Sequence, residues 1–122
     1  MYAAVAPFGL LLLSSLWQYP AVLEEVVKWG ILRYGVSSIE YRVWTQGLLV
    51  GAVFGLSEAV LFSMNSWSGG QWGAMVMRLL LTVPMHALTG VIIVWGMKNK
   101  IGAVGLMVAM GVHWAFNIAV RH

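Results

Sequence analysis

Apolar residues run through this chain in long blocks, and the polar positions do not alternate with them at a strand or surface-helix period; they cluster at the block boundaries. Five helical blocks are predicted. The stretch from Tyr2 to about Trp17 is interrupted by Pro7 and stops at Gln18-Tyr19-Pro20, where proline cannot continue one helix but can open the next at its first position. The next block, about Pro20 to Tyr34, is short for a full span and meets the polar break Gly35-Val36-Ser37-Ser38. A third helix is expected from about Tyr41 to Met64, followed by a loop rich in Ser, Gly and Trp from Asn65 to Gly73. A fourth runs from about Ala74 to Met97 with a bend at Pro84. Lys98-Asn99-Lys100 forms a tight charged turn into a fifth, about Ile101 to Val120, whose Gly102, Gly105 and Gly111 let neighbouring backbones approach closely. The sequence has no internal repeat and no low-complexity tract.

Composition turns these blocks into membrane segments. Of 122 residues, 61% are hydrophobic and only 9% charged, against about 25% charged in soluble domains, and the mean hydropathy is +0.84. The expected fold is all-α, a polytopic transmembrane bundle of about five helices forming a single integral membrane domain over residues 1–122. The stretch Met1 to Leu16 lacks a charged leading region and an A-x-A-like cleavage site, so it reads as a retained span. Cysteine is absent, which excludes disulfides, thiolate metal sites and a cysteine nucleophile. Aspartate is absent too; the four acidic residues are Glu24, Glu25, Glu40 and Glu58. The net charge of +3 comes from scattered Lys and Arg without a basic stripe, so nucleic acid is not an expected partner. Arg33 and Arg42 flank one loop and Lys98 and Lys100 another, which predicts cytoplasmic loops there, a cytoplasmic N-terminus and a C-terminus outside. Arg121 and Arg78 are the exceptions, with Arg78 expected to snorkel toward the outer interface.

An ionisable side chain inside a span costs about 2.5 to 3.5 kcal/mol on insertion scales, so each one calls for a partner or a task. Glu24 and Glu25, Glu58, His86 and His113 lie on four successive helices, and Asn117 follows His113 at i+4. Taken singly they have ordinary explanations. Lys28, at i+4 from Glu24 and i+3 from Glu25, can neutralise one glutamate as a structural ion pair but not both. A lone histidine can bond a neighbouring carbonyl, Asn117 can join helices, and the Phe, Met and Trp residues read as packing or lipid-facing. Glu40 and His122 lie outside the spans and suggest no function. Depth argues for a joint role: at 1.5 Å per residue Glu24, Glu58, His113 and Asn117 fall within roughly 5 to 14 Å of the outer helix ends, although His86 falls near 18 Å.

Carboxylates and imidazoles gathered in a low-dielectric cavity suit general acid and base work, with water activation as the natural task. An aspartyl dyad is excluded, no His-Glu-x-x-His helix exists, and Ser66-Trp67-Ser68-Gly69 lacks the leading glycine of a serine motif. Glu24-Glu25-x-x-Lys28, Phe54-x-x-x-Glu58, His86-x-x-x-Gly90 and His113-x-x-x-Asn117, in that order on successive helices, resemble the four motifs of the PrsW family of intramembrane proteases. That family is related to CAAX prenyl endopeptidases and bacteriocin-processing enzymes, and to a scaffold subunit of gamma-secretase that is not itself the protease.

The resemblance covers Glu24 to Asn117, and the chain is shorter than typical members, which implies a minimal homologue or a core completed by homo-oligomerisation. It implies hydrolysis of a peptide bond in a membrane-associated protein, a single-span one being the simplest case, within the plasma membrane of a prokaryotic cell; the depths and the loop charges put the site toward the non-cytoplasmic side. Glu24 is then the general base, Glu25 is held by Lys28 or acts as its partner, and His113 with Asn117 stabilises the oxyanion, with Phe54 in support. Related enzymes carry a histidine at the second-motif position where this chain has Glu58. Zinc held by Glu58, His86 and His113, with water in the fourth position, satisfies a catalytic ligand set, while glutamate-only catalysis needs no metal. The other classes consistent with the residues are a non-catalytic scaffold of the same fold and a small proton- or ion-conducting bundle.

Overall fold

The computed structural model describes residues 20–35, 40–66 and 72–120. These form four α-helices: α1 Pro20–Tyr34, α2 Glu40–Ser66, α3 Trp72–Lys98 and α4 Gly102–Ala119. The helix expected over Tyr2 to Trp17, the centre of the Ser/Gly/Trp loop, and Arg121 and His122 lie outside the described residues. Three segments are long and apolar enough to cross a membrane: Arg42–Met64, Trp72–Lys98 and Gly102–Ala119. The 15 residues of α1 reach about 22 Å, short of a hydrocarbon core of about 30 Å. The helix α3 continues through Pro84, which lacks the N–H that would bond the carbonyl one turn back.

Small residues decide how the helices meet. Gly47, Gly51 and Gly55 recur every fourth position on α2 and press against α3. A Cβ on Gly47 would sit 2.9 Å from the Gly90 carbonyl oxygen, one on Gly55 2.6 Å from the Val83 Cα, and one on Gly51 would run into the His86 carbonyl oxygen. Backbones this close gain dispersion contacts that lipid cannot replace, which is how membrane helices associate without a hydrophobic driving force. Of the three glycines expected to serve this purpose on α4, Gly105 does so, its Cβ position lying 2.8 Å from the Gly96 Cα; Gly111 faces open space.

Polarity is arranged inside out. The buried stripe of α1 is Ala21, Glu25, Lys28 and Leu32, and that of α4 is Gly105, Ala109 and His113. Large apolar side chains such as Leu49, Leu80 and Met107 point outward instead, where lipid tails would meet them. Leu32, Ile93, Val94 and Ala109 pack into a fully buried apolar floor. It lies between the polar interior and the end that carries Arg33, Lys98 and Lys100.

Candidate active site

Side chains of an α-helix lean toward the helix N-terminus. Consecutive antiparallel helices therefore send them in opposite directions, so Glu58 on α2 leans toward the floor while His86 on α3 leans away from it. They meet: His86 Nε2 lies 2.6 Å from Glu58 Oε2, and the unequal depths of their backbone positions are taken up by the side chains. His113 stacks edge-on against His86 with ring centroids 4.6 Å apart. Glu24 Oε2 stands 3.7 Å from His113 Nε2 and 3.9 Å from His86 Nε2. One donor atom from each of Glu24, Glu58, His86 and His113 falls within 4.8 Å of the others, a group that could hold a metal ion. His86 thus belongs with the rest despite its expected depth.

A second tier of contacts orients this group. Lys28 is completely buried and its Nζ reaches Glu25 Oε1 at 2.6 Å, Thr89 Oγ1 at 2.7 Å and His86 Nδ1 at 2.8 Å. All three ammonium hydrogens have acceptors. The ion pair is with Glu25, not Glu24, because the i+3 position lies on the same buried stripe. Glu25 Oε1 also lies 2.8 Å from His113 Nδ1. A neutral His113 donates its Nδ1–H there and presents the Nε2 lone pair to the group, the arrangement that orients metal-binding histidines. In this tautomer His113 is a ligand or an acceptor, and it can donate to an oxyanion only as the imidazolium. Phe54, 1% exposed, closes the site beneath Lys28 with its ring centroid 5.6 Å from Nζ.

Glu24 differs from the other two carboxylates. It accepts no hydrogen bond among the described residues and is about one-fifth exposed, whereas Glu25 is fully buried and committed to Lys28 and His113. Asn117, half-buried one turn beyond His113, makes no hydrogen bond among the described residues. The Arg78 guanidinium lies 4.2 Å from the Phe62 ring centroid and its Nη2 is 3.7 Å from Glu58 Oε1. Thr89, fully buried, is a member of the site that the sequence pattern does not mark. Its position three residues after His86 was the available signal, since its hydroxyl donates to the His86 carbonyl at 3.0 Å and accepts from Lys28.

Two imidazoles and the Glu58 carboxylate are a suitable three-residue donor set for a catalytic zinc. Ligands at about 2.0 to 2.1 Å in a tetrahedron lie about 3.4 Å apart; the Glu58, His86 and His113 donor atoms lie within 4.8 Å of one another, and Glu24, 3.7 and 3.9 Å from the two imidazoles, stands beside the fourth position. The 2.6 Å contact between His86 and Glu58 must open. His86 must also change tautomer, because an ammonium on Nδ1 leaves the ring proton on Nε2. With the proton on Nδ1 and the Lys28 amine accepting it, Nε2 becomes a ligand. The residues fit the ion on those terms.

Neither a protein-family model nor a curated protein nor a solved structure matches the chain.

Proposed function

We propose that the chain is an intramembrane endopeptidase that hydrolyses a peptide bond of a membrane-associated protein, with a single-span protein as the simplest substrate. The observation that supports this reading is the convergence of Glu24, Glu58, His86 and His113 in one group, with Glu25, Lys28 and Thr89 spent on orienting it. A bundle that needed only structural ion pairs would not leave one carboxylate uncommitted beside two imidazoles. Glu24 is that carboxylate, and it takes the proton from the attacking water. Asn117, one turn past His113, is the side-chain amide available to donate to the developing oxyanion.

Glu58, His86 and His113 would hold zinc, which in such a site supplies Lewis-acid polarisation and makes water nucleophilic near neutral pH. The apolar floor of Leu32, Ile93, Val94 and Ala109 blocks access from the end bearing the basic turns. Water and substrate then enter from the opposite side, which is the non-cytoplasmic side if those turns are cytoplasmic.

The test is cleavage of a single-span substrate by purified protein in detergent, with zinc measured on protein prepared without a metal-affinity tag. Glu24→Gln should abolish turnover and retain the metal; Glu58→Gln, His86→Ala and His113→Ala should lose both. Full activity after chelation, with well below one zinc per chain, would refute the metal and leave the glutamates as sole activators. No cleavage by the wild type under any metal loading would refute the endopeptidase and favour a scaffold.

A further inference from the structure

At the end of the bundle remote from the candidate active site, α1 and the turn from α3 into α4 enclose a recess of about 460 Å³ lined by Trp29, Arg33, Tyr34, Met97, Lys100 and Gly102. Its charged side chains are both cations. Arg33 and Lys100 have no acidic partner among the described residues, whereas Lys98 at the same end lies over the Trp44 ring. The Trp29 indole N–H is buried without an acceptor. It stands at the start of α4, where a Cβ on Gly102 would lie 3.7 Å from Nε1.

That helix start is itself uncapped. Ile101 occupies the cap position with no side-chain hydrogen bond, and the first intrahelical bond runs from Gly105 N–H to the Ile101 carbonyl. The amides of Gly102, Ala103 and Val104 precede it, at the positive end of an 18-residue helix. Lys100 is held at φ 59°, a left-handed conformation that a glycine or asparagine adopts more readily. An orphaned buried donor costs about 1 to 3 kcal/mol, and here it shares its recess with two cations and a helix N-terminus; each of these is satisfied by the same kind of group.

We propose that this recess binds a phosphate oxyanion. Arg33 and Lys100 neutralise it, the Trp29 indole and the first α4 amides donate to its oxygens, and Tyr34, 83% exposed, packs beside it at the headgroup level. An anionic phospholipid headgroup and a soluble phosphate present the same oxygens, and the recess lies at the end of the bundle where either is within reach. The site is independent of the hydrolytic reading, since none of its residues touches the glutamate–histidine group.

The Trp29 indole reports on it directly. Full-length protein labelled with 15N at its indoles, in phosphatidylcholine nanodiscs, is titrated in one arm with phosphatidylglycerol and in the other with inorganic phosphate; Trp29→Phe identifies the resonance. Binding should move that resonance, and Arg33→Gln with Lys100→Gly should raise the concentration required about 25-fold, five-fold for each cation. Lys100→Gly suits the left-handed turn, so the variant keeps its fold, and Arg42→Gln, at the same end but outside the recess, should titrate like the wild type. A response to phosphatidylglycerol alone assigns the headgroup; a response to millimolar inorganic phosphate assigns a soluble ligand. A Trp29 signal that neither ligand moves, or that moves equally in the double variant, overturns the proposal.

Discussion

Substituting Gly51 by alanine tests whether the approach of α2 to α3 positions the candidate active site. A Cβ at Gly51 would lie 2.7 Å from the Ala87 Cα and from the His86 carbonyl carbon. Unstrained carbon atoms rest about 3.5 to 4.0 Å apart, so the helices must separate locally by about 1 Å. The same displacement lengthens the 2.6 Å contact between His86 and Glu58 to about 3.6 Å, outside hydrogen-bond range. Overpacking costs about 1 to 3 kcal/mol, and the lost charge-assisted bond about 1.5 to 3 kcal/mol. Helix propensity returns about 1 kcal/mol for Gly→Ala. The net expectation is a loss of about 1.5 to 5 kcal/mol.

Gly111→Ala is the matched control, because nothing lies within 4 Å of its Cβ position; there propensity acts alone and the variant should gain up to about 1 kcal/mol. Reversible unfolding in dodecyl maltoside with added dodecyl sulfate, followed by circular dichroism, measures both. Equal stabilities for the two alanine variants would refute the argument that α2 and α3 are in backbone contact at the site.

Lys28→Met should destabilise the protein by about 3 to 5 kcal/mol in the same assay, because it leaves the fully buried Glu25 without its cation. Adding Glu25→Gln should restore part of that loss, and a double variant no better than the single one would argue against the pair. A reporter fused after His122 should read the non-cytoplasmic side, given the basic residues Arg33, Arg42, Lys98 and Lys100 at the alternate turns; a cytoplasmic signal would invert the proposed direction of substrate entry.

What the sequence determined by itself was the helical, strongly apolar class of the molecule and the ionisable members of its polar interior; Thr89 was not among them. Long apolar blocks with punctuating Pro20, Gly35 and the Lys98-Asn99-Lys100 turn specify helices, because only backbone satisfied within its own segment is tolerated in lipid. The cost of placing ionisable groups in apolar helical segments likewise marks Glu24, Glu25, Lys28, Glu58, His86 and His113 before any contact is known. Their division of labour was not legible there. Whether Lys28 takes the glutamate at i+3 or at i+4 depends on which face of α1 the other helices bury, and the buried face carries Glu25. The pairing of His86 with Glu58 depends on the register between α2 and α3, which the Gly47, Gly51 and Gly55 stripe sets through backbone contacts. Counting residues from helix ends misplaced His86 because it follows backbone depth, while antiparallel side chains lean toward each other. Arg78 reaches Glu58 and Phe62 on the neighbouring helix, contacts that its own segment does not specify. Each of these outcomes rests on relative placement of helices, a property of the packed bundle that no single segment contains.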